Sequence, residues 1–347
     1  MKVLLVKMSS MGDIVHALPA VDDAARRGVR FDWIVEEDYR ALAARARGVD
    51  EVLPVAFRRW RHAPADGIKE LLAVRRGLRA RHYDVVLDAQ GLIKSAIVAG
   101  WAGVGERVGF DASSARERLS ALGNQRRVHV PGSDHAISRL RRLFAAALGY
   151  EFPDTEPVFH LGPPSTDVYA PDNAILLAHG TTWKTKLWPE GYWTDVARRA
   201  AAAGYTPILP WMDGERARAE RIAAAVPEAW VCPSMDLADV LGLVENTRGV
   251  IGVDSGLVHF GAALGRPTVM LFGPTDHRLT GCHGPQARDL SAGLPCSPCR
   301  SRVCRRPDSA RVSNGAAACL AAVAPDEAWT TLAAMMGRDG RVATVVK

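Results

Sequence analysis

The sequence predicts an α/β protein made of two similar halves with a cleft between them, and three observations carry that prediction. Short apolar runs ending in small, polar, turn-prone residues alternate with stretches of helical periodicity. The same β–α order starts afresh after a proline-rich break between Gly149 and Pro171. The length, 347 residues, suits two domains of roughly 150 residues each. The expected boundaries are 1–165 for the first domain, 172–325 for the second and 326–347 for a terminal helix with a frayed tail after Gly337.

Bulk properties bound the partners. Hydrophobic residues make up 48% of the chain, enough for two cores, yet no run approaches the ~20 apolar residues that span a bilayer. Charge and glycine interrupt the N-terminal apolar run by Asp13, so it reads as a first strand and export is not expected. The six cysteines are then expected to be reduced. A formal charge of +6 favours anionic partners in general, among them nucleotides, phosphorylated lipids, nucleic acid and membrane surfaces.

Val3–Val6 is the first strand, and Lys7 to Asp13 its polar exit before a helix expected from Ile14 to Arg27. The turn is like that of a Rossmann unit but lacks the G-x-G-x-x-G pattern, which speaks against a dinucleotide there. Asp13 reads either as an N-cap carboxylate or as a site carboxylate facing the cleft. Phe31–Val35 is a second strand, with Glu36 to Tyr39 opening the next helix. Arg58, Arg59, Trp60 and Arg61 follow the strand Val49–Val55. They form either a solvated face or a clamp for phosphate or carboxylate. Asp88 and Gln90 fall at the end of the strand beginning near Tyr83, where side chains reach a cleft. Asp111 to Arg127, containing Arg116 and Arg118, reads as a mobile stretch.

In the second half, Ala174–Ala178 is a strand that exits into HGTTWKTKLWP. Two hydroxyls, Thr181 and Thr182, and two lysines at that exit make a diphosphate grip. The most informative stretch is Val250 to Asp276. There, two strands flank one helix, and Asp254, Ser255 and Gly256 stand at the first strand's end. Open α/β sheets bind ligands at such ends, where helix amides hold anions without a basic side chain. Asp254 repels phosphate, so a hydroxyl, an amine or its own helix amides are its expected partners. Cys296, Cys299 and Cys304 crowd an arginine-rich loop. They read as zinc ligands with a fourth from Cys282, His283 or Cys319, as a redox-sensitive or disulfide loop, or as inert thiols.

The segments KMSSMGDIVHALPA, FDWIVEE, VAFRRWR, YDVVLDAQGLIKSA, HGTTWKTKLWPEGYW and VDSGLVHFGAALGRPTVMLFGPTD closely resemble the ADP-heptose-dependent glycosyltransferases of family 9. The resemblance implies GT-B architecture: two Rossmann-like domains facing each other, acceptor on the first and nucleotide sugar on the second. It implies inverting transfer of L-glycero-D-manno-heptose from ADP-heptose to the first Kdo of Kdo2-lipid A, in the inner core of lipopolysaccharide. The enzyme implied is peripheral, at the cytoplasmic face of the inner membrane, with an anionic lipid surface as partner, and a monomer is expected. ADP-heptose is a substrate, and neither a cofactor nor a catalytic metal is expected.

By resemblance, Asp13 is the catalytic base and Lys186 contacts the donor phosphates. Thr181 and Thr182 hold the diphosphate, and Glu215 lies by the donor ribose. Asp254, Ser255, Gly256 and His259 complete the donor side. Arg58, Arg59, Arg61, Gln90, Arg116 and Arg118 meet the acceptor. The RRWR and DAQGLIKSA segments resemble the branch that adds the first heptose, whereas the CSPC loop resembles the branch that adds the second. Other readings are a different GT-B transferase, a nucleotide-sugar epimerase, or a nucleic-acid-binding module. For the last, no aromatic platform or recognition-helix motif is present, so nucleic acid is not an expected partner.

Overall fold

Apolar runs become buried central strands. Lys2–Val6 (β1), Ala174–Ala178 (β7), Gly249–Val253 (β10) and Thr268–Phe272 (β11) are almost wholly buried, as parallel strands covered on both faces must be. The computed structural model describes residues 1–103, 105–164, 166–212, 214–306 and 316–337. The chain divides into two units, Met1–Pro164 and Ser165–Lys347. The expected frayed tail after Gly337 lies outside the described residues.

The first unit adds Arg30–Glu36 (β2), Val49–Val55 (β3), Val85–Asp88 (β4), Glu106–Phe110 (β5) and Arg126–Val128 (β6) to β1. The second adds Thr206–Leu209 (β8), Trp230–Val231 (β9) and Ala287–Ser291 (β12) to β7, β10 and β11. Each sheet has six strands, in the orders β3-β2-β1-β4-β5-β6 and β12-β11-β10-β7-β8-β9. All the pairings are parallel. Read from β9, the second order repeats the first. Both have the doubly wound order whose direction reverses once, between β1 and β4 and between β7 and β10. Ligands are received outside the carboxyl ends of the strands at such a reversal.

Two packing details position those ends. Gly252 lets the helix Gly256–Ala263 close on β10, since a Cβ there would lie 2.7 Å from that of Ala178 and would overlap Val258. Trp188 fills the core of the second unit, edge-on to Trp193 at 5.0 Å, and its indole N–H donates to the carbonyls of Leu320 and Val323, each at 3.1 Å. The Trp-Pro step thus pins the chain just beyond Lys186, before the helix Glu190–Ala202.

Several elements differ from expectation. The first helix spans Met11–Ala25, starting before Ile14 because Ser10 takes the N-cap. Glu36 ends β2, and a 3-10 turn, Glu37–Tyr39, takes the place of the helix start. Phe57–Trp60 is a short helix. The stretch from Asp111 to Arg127 is held by hydrogen bonds. Asp111 accepts from the Ser113 and Ser114 amides at 3.0 and 2.8 Å, and Arg107 Nε donates to the Gly123 carbonyl at 2.9 Å. The segment also contains a 3-10 turn, Arg118–Gly123, and β6.

Candidate functional site

In the first unit the reversal point is built around Asp13. Its Oδ1 lies 3.1 Å from Lys7 Nζ, and its Oδ2 accepts from the Ser10 N–H at 2.8 Å and the Ser10 hydroxyl at 3.1 Å. Asp13 is therefore in the first turn of the helix, holding the cap residue, rather than being the cap itself. The lysine side chain is 6% exposed and the aspartate 34%, so the pair turns its carboxylate outward. Burial raises the Asp13 pKa, but the Lys7 ammonium, the Ser10 amide and His16 outweigh it, and the group is held below the usual carboxylate range.

Gln90, expected to meet a ligand, is spent on the backbone. Its Oε1 accepts from the Met8 and Ser9 amides at 2.8 and 3.2 Å, and its Nε2 donates to the Ser9 carbonyl at 2.6 Å. It staples the loop that leads to Asp13. Asp88 supports that brace in turn, accepting from the amides of Gln90 and Gly91 at 3.0 and 3.1 Å and from the Ser95 hydroxyl at 3.0 Å.

The arginines beside this edge are not a bare cationic patch. Arg58 donates to Asp38 and to the Tyr39 hydroxyl, each at 3.0 Å. Arg59 forks onto both Glu37 and Glu70 at 2.8–3.0 Å. Arg61, Arg116 and Arg118 are exposed. Buried Glu36 faces Lys94 at 3.9 Å, and burial pushes its pKa up.

In the second unit the reversal point is built around Asp254. Lys186 Nζ sits 2.7 Å from its Oδ2, the Thr275 hydroxyl donates to it at 2.6 Å, and His259 Nε2 lies 3.7 Å from Oδ1. An amine and a hydroxyl are thus its partners, two of the kinds expected from the sequence. Burial raises the pKa of Asp254, but the His259 hydrogen bond and the Lys186 ammonium more than reverse this, leaving it well below the usual range. The ammonium also lies 4.9 Å from the Trp183 ring centroid.

The Ser255 hydroxyl, at the N-cap of the helix Gly256–Ala263, is buried without a hydrogen-bond partner. It stands beside helix amides that have no intrahelical acceptor. Thr181 and Thr182 border the same strand-exit loop, with Thr182 exposed. Glu215 accepts from the Met212 amide at 3.1 Å, and its half-buried carboxyl is pushed up by burial. It packs where a Cβ on Gly180 would stand, so the glycine admits it to the β7 exit. The structure therefore groups Thr181, Thr182, Lys186, Asp254, Ser255, Gly256, His259 and Glu215 around the exits of β7 and β10.

The cysteine loop is fastened by other means. The Ser297 hydroxyl donates to the Gly273 carbonyl, the Arg300 amide to Pro274 O at 2.7 Å, and the Thr185 hydroxyl to Ser301 O at 2.9 Å. Arg302 lies over the Trp183 ring at 4.7 Å. Cys296, Cys299 and Cys304 are free thiols. Among the described residues no group of three or more His, Cys, Asp and Glu is placed to hold a metal ion. Lys7, Thr275 and Trp183 were not singled out from the sequence. A lysine directly after a buried strand and a Thr-Asp pair just past a Gly-Pro step after another were the available signals.

Two doubly wound units, one presenting a carboxylate at its reversal point and the other a lysine, hydroxyls and free helix amides, fit a GT-B glycosyltransferase. Residues 71–309 match the model of glycosyltransferase family 9 (heptosyltransferase), and the chain belongs to that family. Lipopolysaccharide heptosyltransferase 1 of Pseudomonas aeruginosa is 41% identical over 312 residues, covering 88% of this chain and 87% of that protein. The structure of Escherichia coli heptosyltransferase WaaC with ADP is 38% identical, with a TM-score of 0.77 over 84% of this chain and 93% of that one. Lipopolysaccharide heptosyltransferase 2 of E. coli K12 is 24% identical over 304 residues, covering 81% of this chain and 85% of that protein. The gap between 41% and 24% favours the first-heptose branch despite the CSPC loop.

Proposed function

We propose that the chain transfers heptose from ADP-heptose to the first Kdo of Kdo2-lipid A, with inversion at the anomeric carbon, in lipopolysaccharide core synthesis. The observation that carries this reading is the outward-facing Asp13 carboxylate, kept ionised by buried Lys7. It occurs in a chain 41% identical to a lipopolysaccharide heptosyltransferase 1.

A sugar hydroxyl is a weak nucleophile whose proton must leave as the new bond forms, and Asp13 accepts it. Lys186, Thr181, Thr182, Ser255 and the amide of Gly256 hold the diphosphate, whose charge grows as the bond to heptose breaks. His259 and Thr275 keep Asp254 in place, and Asp254 in turn holds Lys186. Glu215 takes the ribose hydroxyls. ADP departs already ionised, so no second carboxyl acts as an acid, unlike glycoside hydrolysis. Arg61, Arg116 and Arg118 meet the acidic groups of the acceptor, and Arg58 and Arg59 join them only by exchanging their present carboxylate partners. The enzyme works peripherally at the cytoplasmic face of the inner membrane. No helix among the described residues is long and apolar enough to cross a membrane.

The test is to incubate the protein with ADP-heptose and either Kdo2-lipid A or heptosyl-Kdo2-lipid A. Product from the first acceptor alone is expected. Product from the second alone would assign the chain to the other branch, and product from neither would overturn the reading.

A further inference from the structure

The first unit turns four large aliphatic side chains outward on adjoining elements. Ile93 and Ile97 are four apart in the helix Ile93–Ala99 and so share a face. Leu119 and Leu122 are three apart in the 3-10 turn Arg118–Gly123, where residues at that spacing eclipse. They are 44%, 55%, 66% and 71% exposed respectively. The two elements pack together, because a Cβ on Gly123 would come within 2.9 Å of that of Ala96, and Glu117 Oε2 accepts from the Ile93 amide at 2.7 Å. Single exposed aliphatics are ordinary on protein surfaces, but a patch of four on neighbouring turns is not.

Charge around the patch selects its partner. Arg116 and Arg118 are exposed beside the leucines. The one carboxylate between the arginines, Glu117, is engaged with the start of the helix. The patch also adjoins the acceptor edge. The Glu117 amide donates to Gly91 O at 3.0 Å, and Gly91 follows Gln90, the staple of the Asp13 loop.

We propose that this face, with Ile93, Ile97, Leu119 and Leu122 at its centre and Arg116 and Arg118 at its rim, seats the protein on an anionic phospholipid bilayer. The aliphatic side chains enter the interface while the arginines meet lipid phosphates. The proposal rests on the reading that the acceptor is a membrane lipid, since it brings the Asp13 edge to where that lipid resides.

The test uses the full chain and phosphatidylcholine vesicles with or without phosphatidylglycerol, in the absence of sugar substrates. The wild type is expected to co-sediment with the anionic vesicles. Leu119→Ser with Leu122→Ser should weaken that partition at least about tenfold, as partial burial of two leucines would supply. Arg116→Gln with Arg118→Gln should remove most of its salt dependence. Circular dichroism should be unchanged in both variants, and the leucine variant should keep wild-type turnover on an acceptor stripped of its acyl chains. Equal vesicle binding by the leucine variant and the wild type, or none by the wild type, would overturn the proposal. So would a concentration-dependent dimer that the leucine changes abolish, which would give the face to a second copy of the chain. Vesicle binding without transfer activity would leave the surface standing and remove the proposed reaction instead.

Discussion

Each unit carries a lysine–aspartate pair at the reversal point of its sheet, and the two pairs differ in how they meet solvent. In the first, Lys7 is buried and Asp13 faces outward, 6% against 34% exposed. In the second, both partners are largely buried, Asp254 at 10% and Lys186 at 15%, and the lysine lies by the Trp183 ring. The first pair thus offers a carboxylate to solvent, whereas the second is closed. In the proposed reaction the open carboxylate accepts the hydroxyl's proton and the lysine of the closed pair meets the departing diphosphate, a division that fold alone, nearly the same in both units, does not make.

The largest effect expected is at the outward carboxylate. Asp13→Asn keeps an oxygen for the Ser10 amide but cannot take a proton. Turnover should fall about a hundredfold or more while ADP-heptose binding persists. Near-normal turnover would reduce Asp13 to a helix-terminal brace and end the comparison.

The second test is at the inward carboxylate. Lys186→Ala should lower turnover at least about tenfold, because its charge acts most on the departing ADP. It also strands Asp254 in the interior, so thermal unfolding should show a loss of about 3 kcal/mol, the usual penalty for breaking a buried pair. Unchanged turnover would show that Thr181, Thr182, Ser255 and the helix amides hold the diphosphate without it.

The smallest effect, and the one that most sharpens the contrast, concerns Lys7. The Asp13 pKa is depressed in the folded protein. Its ionised form therefore stabilises the fold above the ordinary carboxylate value, and that contribution is lost as the pH falls through the depressed one. Lys7→Met removes the main lowering influence and leaves burial, which raises the pKa. The acid limb of the turnover–pH profile should move to higher pH, with turnover near neutrality reduced only a few-fold. A limb that does not move would show that the Ser10 amide and His16 set the carboxylate without Lys7.

The sequence made the strands legible where they are buried on both faces. Continuous apolar runs marked β1, β7, β10 and β11, but β12, an edge strand reading ARDLS with only its first residue buried, gave no such signal. Candidate site residues were legible where they closely follow strand exits, as with Asp13, Thr181 and Asp254. Their partners were not, because pairing depends on chain brought together from afar. Arg58 and Arg59 look like a free cationic cluster until Asp38, Glu37 and Glu70, 11 to 22 residues away, close on them. Gln90 looks like a ligand contact, but the Met8–Ser9 backbone, more than 80 residues earlier, takes its carbonyl oxygen and one of its N–H groups. The start of the first helix was missed because Asp13 read as the cap, and only geometry gives that place to Ser10.

Because the loop beside the second unit's strand exits is tied down by Ser297, Arg300 and Ser301 rather than by sulfur, the six cysteines fall into two chemical populations. Burial lifts the thiol of Cys232 to about 12 and that of Cys319 to about 11, and raises Cys282 well above its ordinary value, so these three are poor nucleophiles at neutral pH. Cys296 and Cys299 are exposed, and Cys304 is partly so. An alkylating dye or spin label therefore discriminates between the two sets without prior mutagenesis. It places a reporter in the loop whose Arg302 lies by the Trp183 ring, as Lys186 does, where a nucleotide's arrival at the proposed donor site would be read directly.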